Sequence, residues 1–260
     1  MGYVGAAPHD LTVELDLLTG VLLVLAGLAT AFINVMAGGG SAVSLIVLVP
    51  LLGPIEANAT NRVAILFANI LGTANFARKK LVPWEMSFSL VIPAMVGTGA
   101  GAWVATRVSP ETIRTAFGVV LIGVALSVLF KPSAWLKEQL EPRLGRWGRA
   151  AAFLGIGFYG GFIQVGVGFL LISGLVLGCG LDLVKGSAAK MFLIAVFTAL
   201  AVLIFVWADQ INWPVGLVMA IGNSIGAYLG TRLAIEKGAR LIRWLLAMAS
   251  VAVALRMLFF

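Results

Sequence analysis

Long apolar runs alternate along this chain with short clusters of glycine, proline and charge. Runs such as "VLIGVALSVLF" and "MFLIAVFTALAVLIFVWA" are apolar on every face. That pattern suits helices surrounded by lipid, and it excludes barrel strands, whose side chains alternate between lipid and lumen. The pattern predicts helical segments at 13–36, 41–53, 58–77, 84–106, 111–130, 147–163, 167–180, 183–208, 213–235 and 239–259. Most are near the ~20 residues that cross a bilayer. The second and seventh are flanked by glycine and reach only ~20 Å as helix, short of a ~30 Å hydrocarbon core. They are predicted to be broken or re-entrant half-helices. The expected fold class is therefore an all-α polytopic membrane protein of about ten helical segments.

Composition supports this and narrows the chemistry. Of the 260 residues, 61% are hydrophobic and 11% charged, with a mean hydropathy of +1.05. Soluble chains carry about 25% charge, so a lipid bilayer is the expected surrounding. The stretch "LLTGVLLVLAGLATA" has Asp10, Glu14 and Asp16 at its flank instead of lysines, and is expected to be the first helix and not a signal peptide. The single cysteine, Cys179, excludes an intramolecular disulfide and leaves packing as its expected role. No cofactor or metal site is expected.

The net charge of +7 is explained by orientation and not by nucleic acid. Thirteen of the 18 basic residues fall in alternate loops: Arg78, Lys79 and Lys80; Lys131, Lys137, Arg143, Arg146 and Arg149; Lys185; then Arg232, Lys237, Arg240 and Arg243. That side is expected to be cytoplasmic, in a cell inner membrane. The opposite side carries Asp10, Glu14, Asp16, Glu56 and Asp209, against only Arg107, Arg114 and Arg256. Both termini are then expected outside.

The two halves resemble each other. "GTGAGAWVATRV" from Gly97 aligns with "GNSIGAYLGTRL" from Gly222 at an offset of 125. At an offset of 128, "GGGSAVSL" from Gly38 falls on "GVGFLLIS" from Gly166, and Arg62 falls on Lys190. Trp84 in "LVPWE" aligns with Trp213 in "QINWP". The loop before Trp84 reads "ARKK" and the loop before Trp213 reads "ADQ", so equivalent loops belong on opposite faces. Two inverted five-segment repeats are expected, residues 1–131 and 147–260, joined by a cytoplasmic linker at 132–146. Inverted repeats with interrupted helices are a secondary-transporter architecture.

Several motifs carry a family resemblance: "AGGGS" at 37–41, "EANATNRVAIL" at 56–66, "LVPWE" at 81–85, "GGFIQVGVGFLLI" at 160–172, "GLDLVKGSAAK" at 180–190 and "GNSIGAYLGTRLAIEKGARLIR" at 222–243. Together they resemble the sulfite exporter TauE/SafE family over nearly the whole chain. The resemblance implies a permease for a small sulfur-containing anion, sulfite or an organosulfonate, commonly assigned to export. One departure is that relatives often have a proline soon after the first glycine cluster, which this chain delays to Pro50.

The candidate site follows from the breaks. A half-helix N-terminus offers backbone N–H groups and the positive end of a dipole to an anion. Gly38, Gly39, Gly40 and Ser41 are expected to start one half-helix; Gly166, Val167 and Gly168 start its counterpart, facing it across a central cavity. Asn34, Ser44 and Gln164 are candidate side-chain donors. Close helix packing is the competing reading for these glycines, and the expected role of Gly97, Gly101, Gly222 and Gly226. Arg62 and Lys190 are repeat-related intramembrane cations, one toward each mouth of an anion path. The alternative is snorkelling, with Arg62 meeting Glu56 and Lys190 meeting Asp182. Asn58 and Asn61, beside Arg62, are expected to be helix caps, with a ligand role as the alternative for both; Asn61 is kept as a candidate site residue.

Function classes separate on these residues. One histidine, His9, and one apolar-flanked cysteine do not furnish an intramembrane enzyme with nucleophile, base or metal set. The expected activity is alternating-access transport of a sulfur oxyanion; an anion channel or an uptake permease for another oxyanion is the alternative. A homodimer is a further expectation.

Overall fold

A computed structural model describes residues 15–36, 38–117, 119 and 142–259, with side chains described as far as residue 237. His9, most of segment 111–130 and most of the linker at 132–146 lie outside the described residues. Regular structure among the described residues is entirely helical. In chain order the helices are α1 (Leu17–Met36), α2 (Ser41–Arg78), α3 (Trp84–Ala105), α4 (described at 110–117), α5 (Arg146–Phe162), α6 (Val167–Ser173, continuing as a π turn over Gly174–Gly178), α7 (Leu183–Trp207) and α8 (Trp213–Phe259). By length and composition α1, α2, α3 and α7 can each cross a membrane.

The exterior is apolar, and polar and charged side chains are enclosed within a largely apolar interior. Leu17, Ile92, Leu203 and Trp207 are 85%, 74%, 62% and 93% exposed. Arg62, Lys190, Asn69, Thr98, Thr198 and Asn223 are enclosed. A soluble fold would reverse this, because exposed apolar area is costly in water and enclosed charge is costly anywhere.

One predicted boundary is a kink and another is corrected. Segments 41–53 and 58–77 are the two parts of α2, which meet at Gly53, whose φ of 75° and ψ of 168° are not helical. Pro54 disfavours helical backbone in the residue before it, and glycine accepts the left-handed φ. Segments 213–235 and 239–259 are one continuous α8 of 47 residues. The intervening "EKGAR" contains a single glycine among strong helix formers, a cost of only about 1 kcal/mol.

Helices pair through glycine-lined contacts. Gly97 and Gly101 of α3 lie against the backbone of Leu154 and Phe158 in α5, and Gly157 and Gly161 against Ala94 and Thr98. Gly222 and Gly226 of α8 lie against Val24 and Leu28 of α1. Residue numbers rise together along both pairs, so each pair is parallel. The packing role expected of Gly97, Gly101, Gly222 and Gly226 is what the structure shows.

Left-handed backbone positions recur between the halves. Gly38 and Gly166 have φ of 85° and 71°, Gly53 and Gly180 have 75° and 74°, and Lys80 and Asp209 have 56° and 53°. The first half of α2 folds back along α1, with Leu45 and Leu48 in one cluster with Leu23. α6 runs the other way, toward Leu144, whose N–H bonds the Gly178 carbonyl.

Charge sorts to the two ends. The end of α2, with Arg78 and Lys79, meets Arg232 and Glu236 of α8 around one recess. Arg149 at the start of α5 donates to the sulfur of Met86 at the start of α3. At the opposite end Gln210, beside Asp209, donates to the Thr106 carbonyl at the end of α3.

Candidate functional site

The breaks after α1 and α5 meet. A Cβ on Gly38 would overlap the backbone of Gly168, and a Cβ on Gly168 would overlap that of Gly38. A Cβ on Gly39 would enter the Phe169 ring, and one on Gly40 would overlap the Thr30 carbonyl. The glycine triplet therefore lets α2 turn back against α1 and touch α6. The two half-helix starts face each other in contact, where the sequence suggested an intervening cavity.

Hydrogen bonds at the breaks are unevenly satisfied. The Gly38 N–H donates to the Ile33 and Asn34 carbonyls. Gly166 and Gly168 are buried, and their N–H groups make no hydrogen bond among the described residues. Gln164 has φ of 64° and donates from Nε2 to Thr198 Oγ1 at 2.9 Å, while its Oε1 is buried without a partner. Ser41 starts α2. Ser44 donates to the Ser41 carbonyl within its own helix, which turns it away from the donor role suggested for it.

Arg62 and Lys190 are both fully enclosed, so neither snorkels. Arg62 donates from Nη1 to the Gly160 carbonyl at 2.8 Å and from Nη2 to the Gly161 carbonyl at 2.7 Å. Asn58 donates to the next carbonyl, Phe162, at 2.9 Å and accepts a longer bond from Arg62. Together they hold three successive carbonyls at the C-terminus of α5, groups that the helix itself leaves unpaired. Phe205 stacks on the guanidinium with its centroid 4.7 Å away. In the other half, Lys190 Nζ donates to the Asn34 and Val35 carbonyls at 2.6 and 3.1 Å, at the C-terminus of α1. Each cation thus sits on the negative end of the helix that precedes the other half's break.

The local ion pairs suggested by sequence spacing are replaced by these contacts. Asp182 caps α7 through the N–H groups of Val184 and Lys185 and pairs with the Lys185 ammonium, leaving Lys190 to α1. Neither Arg62 nor Lys190 has a carboxylate within ion-pair distance among the described residues. Asn58 and Asn61 lie inside the second part of α2 and do not cap its start; Asn58 instead bonds the last carbonyl of α5, and Asn61 Oδ1 is buried without a partner among the described residues.

The sequence identifies a membrane chain, and similarity to known proteins decides which kind. Residues 23–257 match the sulfite exporter TauE/SafE family. The chain belongs to that family. It is similar to the probable membrane transporter protein YfcA of Escherichia coli strain K12, with 29% identity over 244 residues that cover 94% of this chain and 90% of the relative. It is also similar to the probable membrane transporter protein ORF9 of Sinorhizobium, with 29% identity over 238 residues covering 91% of each chain. A probable membrane transporter protein of Haemophilus influenzae is 25% identical over 250 residues, covering 95% and 96%. No solved structure matches. This TauE/SafE protein is accordingly a multi-pass membrane transporter, a class distinct from enzymes.

Sequence reasoning missed two polar groups of this transporter. Thr30 Oγ1 and Ser187 Oγ are buried without hydrogen-bond partners among the described residues, as are both amide atoms of Asn223, whose mid-helix position already marks it in the sequence for interhelical bonding or cavity lining. Buried polar atoms without partners call for an explanation such as water or a ligand. Single serines and threonines in apolar helices carry no spacing signal, so only the structure separates these from the bonded Thr98 and Thr231.

Proposed function

We propose that the protein is a secondary transporter that moves sulfite or a small organosulfonate across the cytoplasmic membrane, in the direction of export, by alternating access around the crossed breaks. The observation that carries the reading is the pair of enclosed cations held by backbone carbonyls and, among the described residues, by no carboxylate. Carbonyl dipoles satisfy hydrogen bonds but leave a net positive charge in a low-dielectric interior. An anion entering beside Gly38–Ser41 and Gly166–Gly168 supplies the missing charge, with Asn34, Asn61 and Gln164 as polar neighbours.

In this reading residues 1–131 and 147–260 are inverted repeats, with 132–146 a cytoplasmic linker and both termini outside. The recurring left-handed positions, the reciprocal cation contacts and the two parallel helix pairs support it. The gathering of Arg78, Lys79 and Arg232 at one end supports placing that end in the cytoplasm. The contact between Gly38 and Gly168 favours a path opened by movement over a standing pore.

The test is flux into proteoliposomes from a panel of sulfite, sulfate, thiosulfate, sulfoacetate, taurine and a carboxylate control. Saturable flux of at least one sulfur oxyanion above the carboxylate is expected. Flux equal to protein-free vesicles for every sulfur anion overturns the reading.

A further inference from the structure

The last turns of α2 and the middle of α8 enclose a recess of about 310 Å³ lined by Asn75, Arg78, Lys79, Tyr228, Arg232 and Glu236, with Ile235 beside them. Three cations there meet one carboxylate, and Glu236 is already engaged by Arg232 Nε at 2.8 Å. The recess is therefore positive after its internal pair is formed. Its inner wall is closed: Asn75 bonds the buried Thr231 hydroxyl at 2.9 Å, and one turn deeper Gly72 packs against the Met191 thioether. Neither Lys190 nor any residue of the crossed breaks lines the recess.

The walls continue as lipid-facing apolar surface. Along α8, Ile221, Ile225 and Leu229 follow one another at four-residue spacing and are 58%, 44% and 42% exposed. Phe67, Ile70 and Leu71 are exposed apolar residues of the second part of α2, the recess's other wall. A free oxyanion would use the cations and have no use for the strip. A hydrocarbon chain would use the strip and have no use for the cations.

We propose that this recess is a binding site for an anionic phospholipid, with the headgroup phosphate between Arg78, Lys79 and Arg232 and an acyl chain along Ile225 and Leu229. Basic pockets between membrane helices on the cytoplasmic side suit anionic headgroups, each cation adding attraction. The site is separate from the crossed breaks and does not depend on what they transport.

The experiment uses delipidated full-length protein in neutral detergent, read by native mass spectrometry and by melting temperature. Phosphatidylglycerol is expected to be retained and to raise the melting temperature, whereas phosphatidylcholine, inorganic phosphate and glycerol phosphate at equal concentration do neither. Replacing Arg78, Lys79 and Arg232 together by Gln is expected to weaken phosphatidylglycerol binding about a hundredfold, at about fivefold per cation. The Arg143→Gln, Arg146→Gln variant, whose cations lie outside the recess, is expected to bind as the unaltered chain does. If the triple variant does not fold, Lys79→Gln alone is expected to show the single-cation loss. Equal binding of phosphatidylcholine, a shift reproduced by inorganic phosphate, equal weakening in the Arg143 and Arg146 variant, or a dimer that covers the strip in place of lipid would each overturn the proposal.

Discussion

Arg62 separates a structural role from an electrostatic one, because both can be estimated. Arg62→Met keeps most of the side-chain volume and the contact with Phe205, and deletes the bonds to the Gly160 and Gly161 carbonyls. Leaving two buried carbonyls unpaired costs about 1–3 kcal/mol each. Against this, the variant avoids burying a guanidinium at membrane depth, roughly 2.5–3.5 kcal/mol on insertion scales. The net effect then runs from a stabilisation of about 1.5 kcal/mol to a destabilisation of about 3.5 kcal/mol, a melting-temperature drop of at most about 14 °C at about 2–4 °C per kcal/mol. The effect on an anion is of similar size but acts on affinity: at an effective dielectric near 20 a unit charge contributes about 2 kcal/mol for a separation taken as about 8 Å, or about thirtyfold. Arg62→Lys keeps the charge and places at residue 62 the group that already holds carbonyls at residue 190. The measurement is concentration-dependent sulfite flux in proteoliposomes, normalised to monodisperse protein, with the melting temperature taken in parallel. The expected order is unaltered, then Lys, then Met, with Met raising the half-saturating concentration about thirtyfold while most of the protein remains folded. If Lys and Met variants transport equally, charge at residue 62 is not what attracts the anion, and Arg62 is only a helix-end clamp.

The remaining expectations concern stability. Gly168→Ala inserts a Cβ into the Gly38 backbone and is expected to cost about 1–3 kcal/mol as overpacking, whereas Gly155→Ala, with open space around it, is expected to leave the melting temperature unchanged or higher; equal effects would remove the crossing as a tight contact. Asp182→Ala removes a cap that accepts from two N–H groups and is expected to cost about 0.5–2 kcal/mol, mostly recovered in Asp182→Asn. Hydrogen bonds from the Thr19 hydroxyl and N–H hold the Asp16 carboxyl below its ordinary range. Its contribution is therefore present above the ordinary value near 3.9 and lost as pH falls through the lower folded value. An acid-side melting series in which Asp16→Asn shows the same slope as the unaltered chain would count against it.

Much of this architecture was legible in residue types. Glycine, proline and asparagine punctuate the apolar runs, and the breaks at Gly38–Gly40 and Gly53 fall where that punctuation is densest. Residue identity failed where one weak breaker sits among strong helix formers, as at Gly238 in α8. Arg62 and Lys190 were also legible, since an enclosed charge stands out in an apolar run and recurs at a fixed offset.

Their partners were not legible, and the reason is physical. Sequence spacing nominates partners a turn or two away, and carboxylates are the partners that residue types advertise; Glu56 and Asp182 met both conditions. The groups that Arg62 and Lys190 hold are backbone carbonyls of Gly160, Gly161, Asn34 and Val35, between 98 and 156 positions away. Almost any residue presents the same carbonyl, so no side chain at those positions betrays the contact. What creates the acceptor is the place where a helix stops, because only the last carbonyls of a helix lack an internal partner. The helix break and the distant cation are therefore one device. The glycines that end α1 free the carbonyls that Lys190 takes, and the break after α5 frees those that Arg62 and Asn58 take. A change that extended either helix by one turn would leave its cation without acceptors, even though no residue of the clamp had been altered.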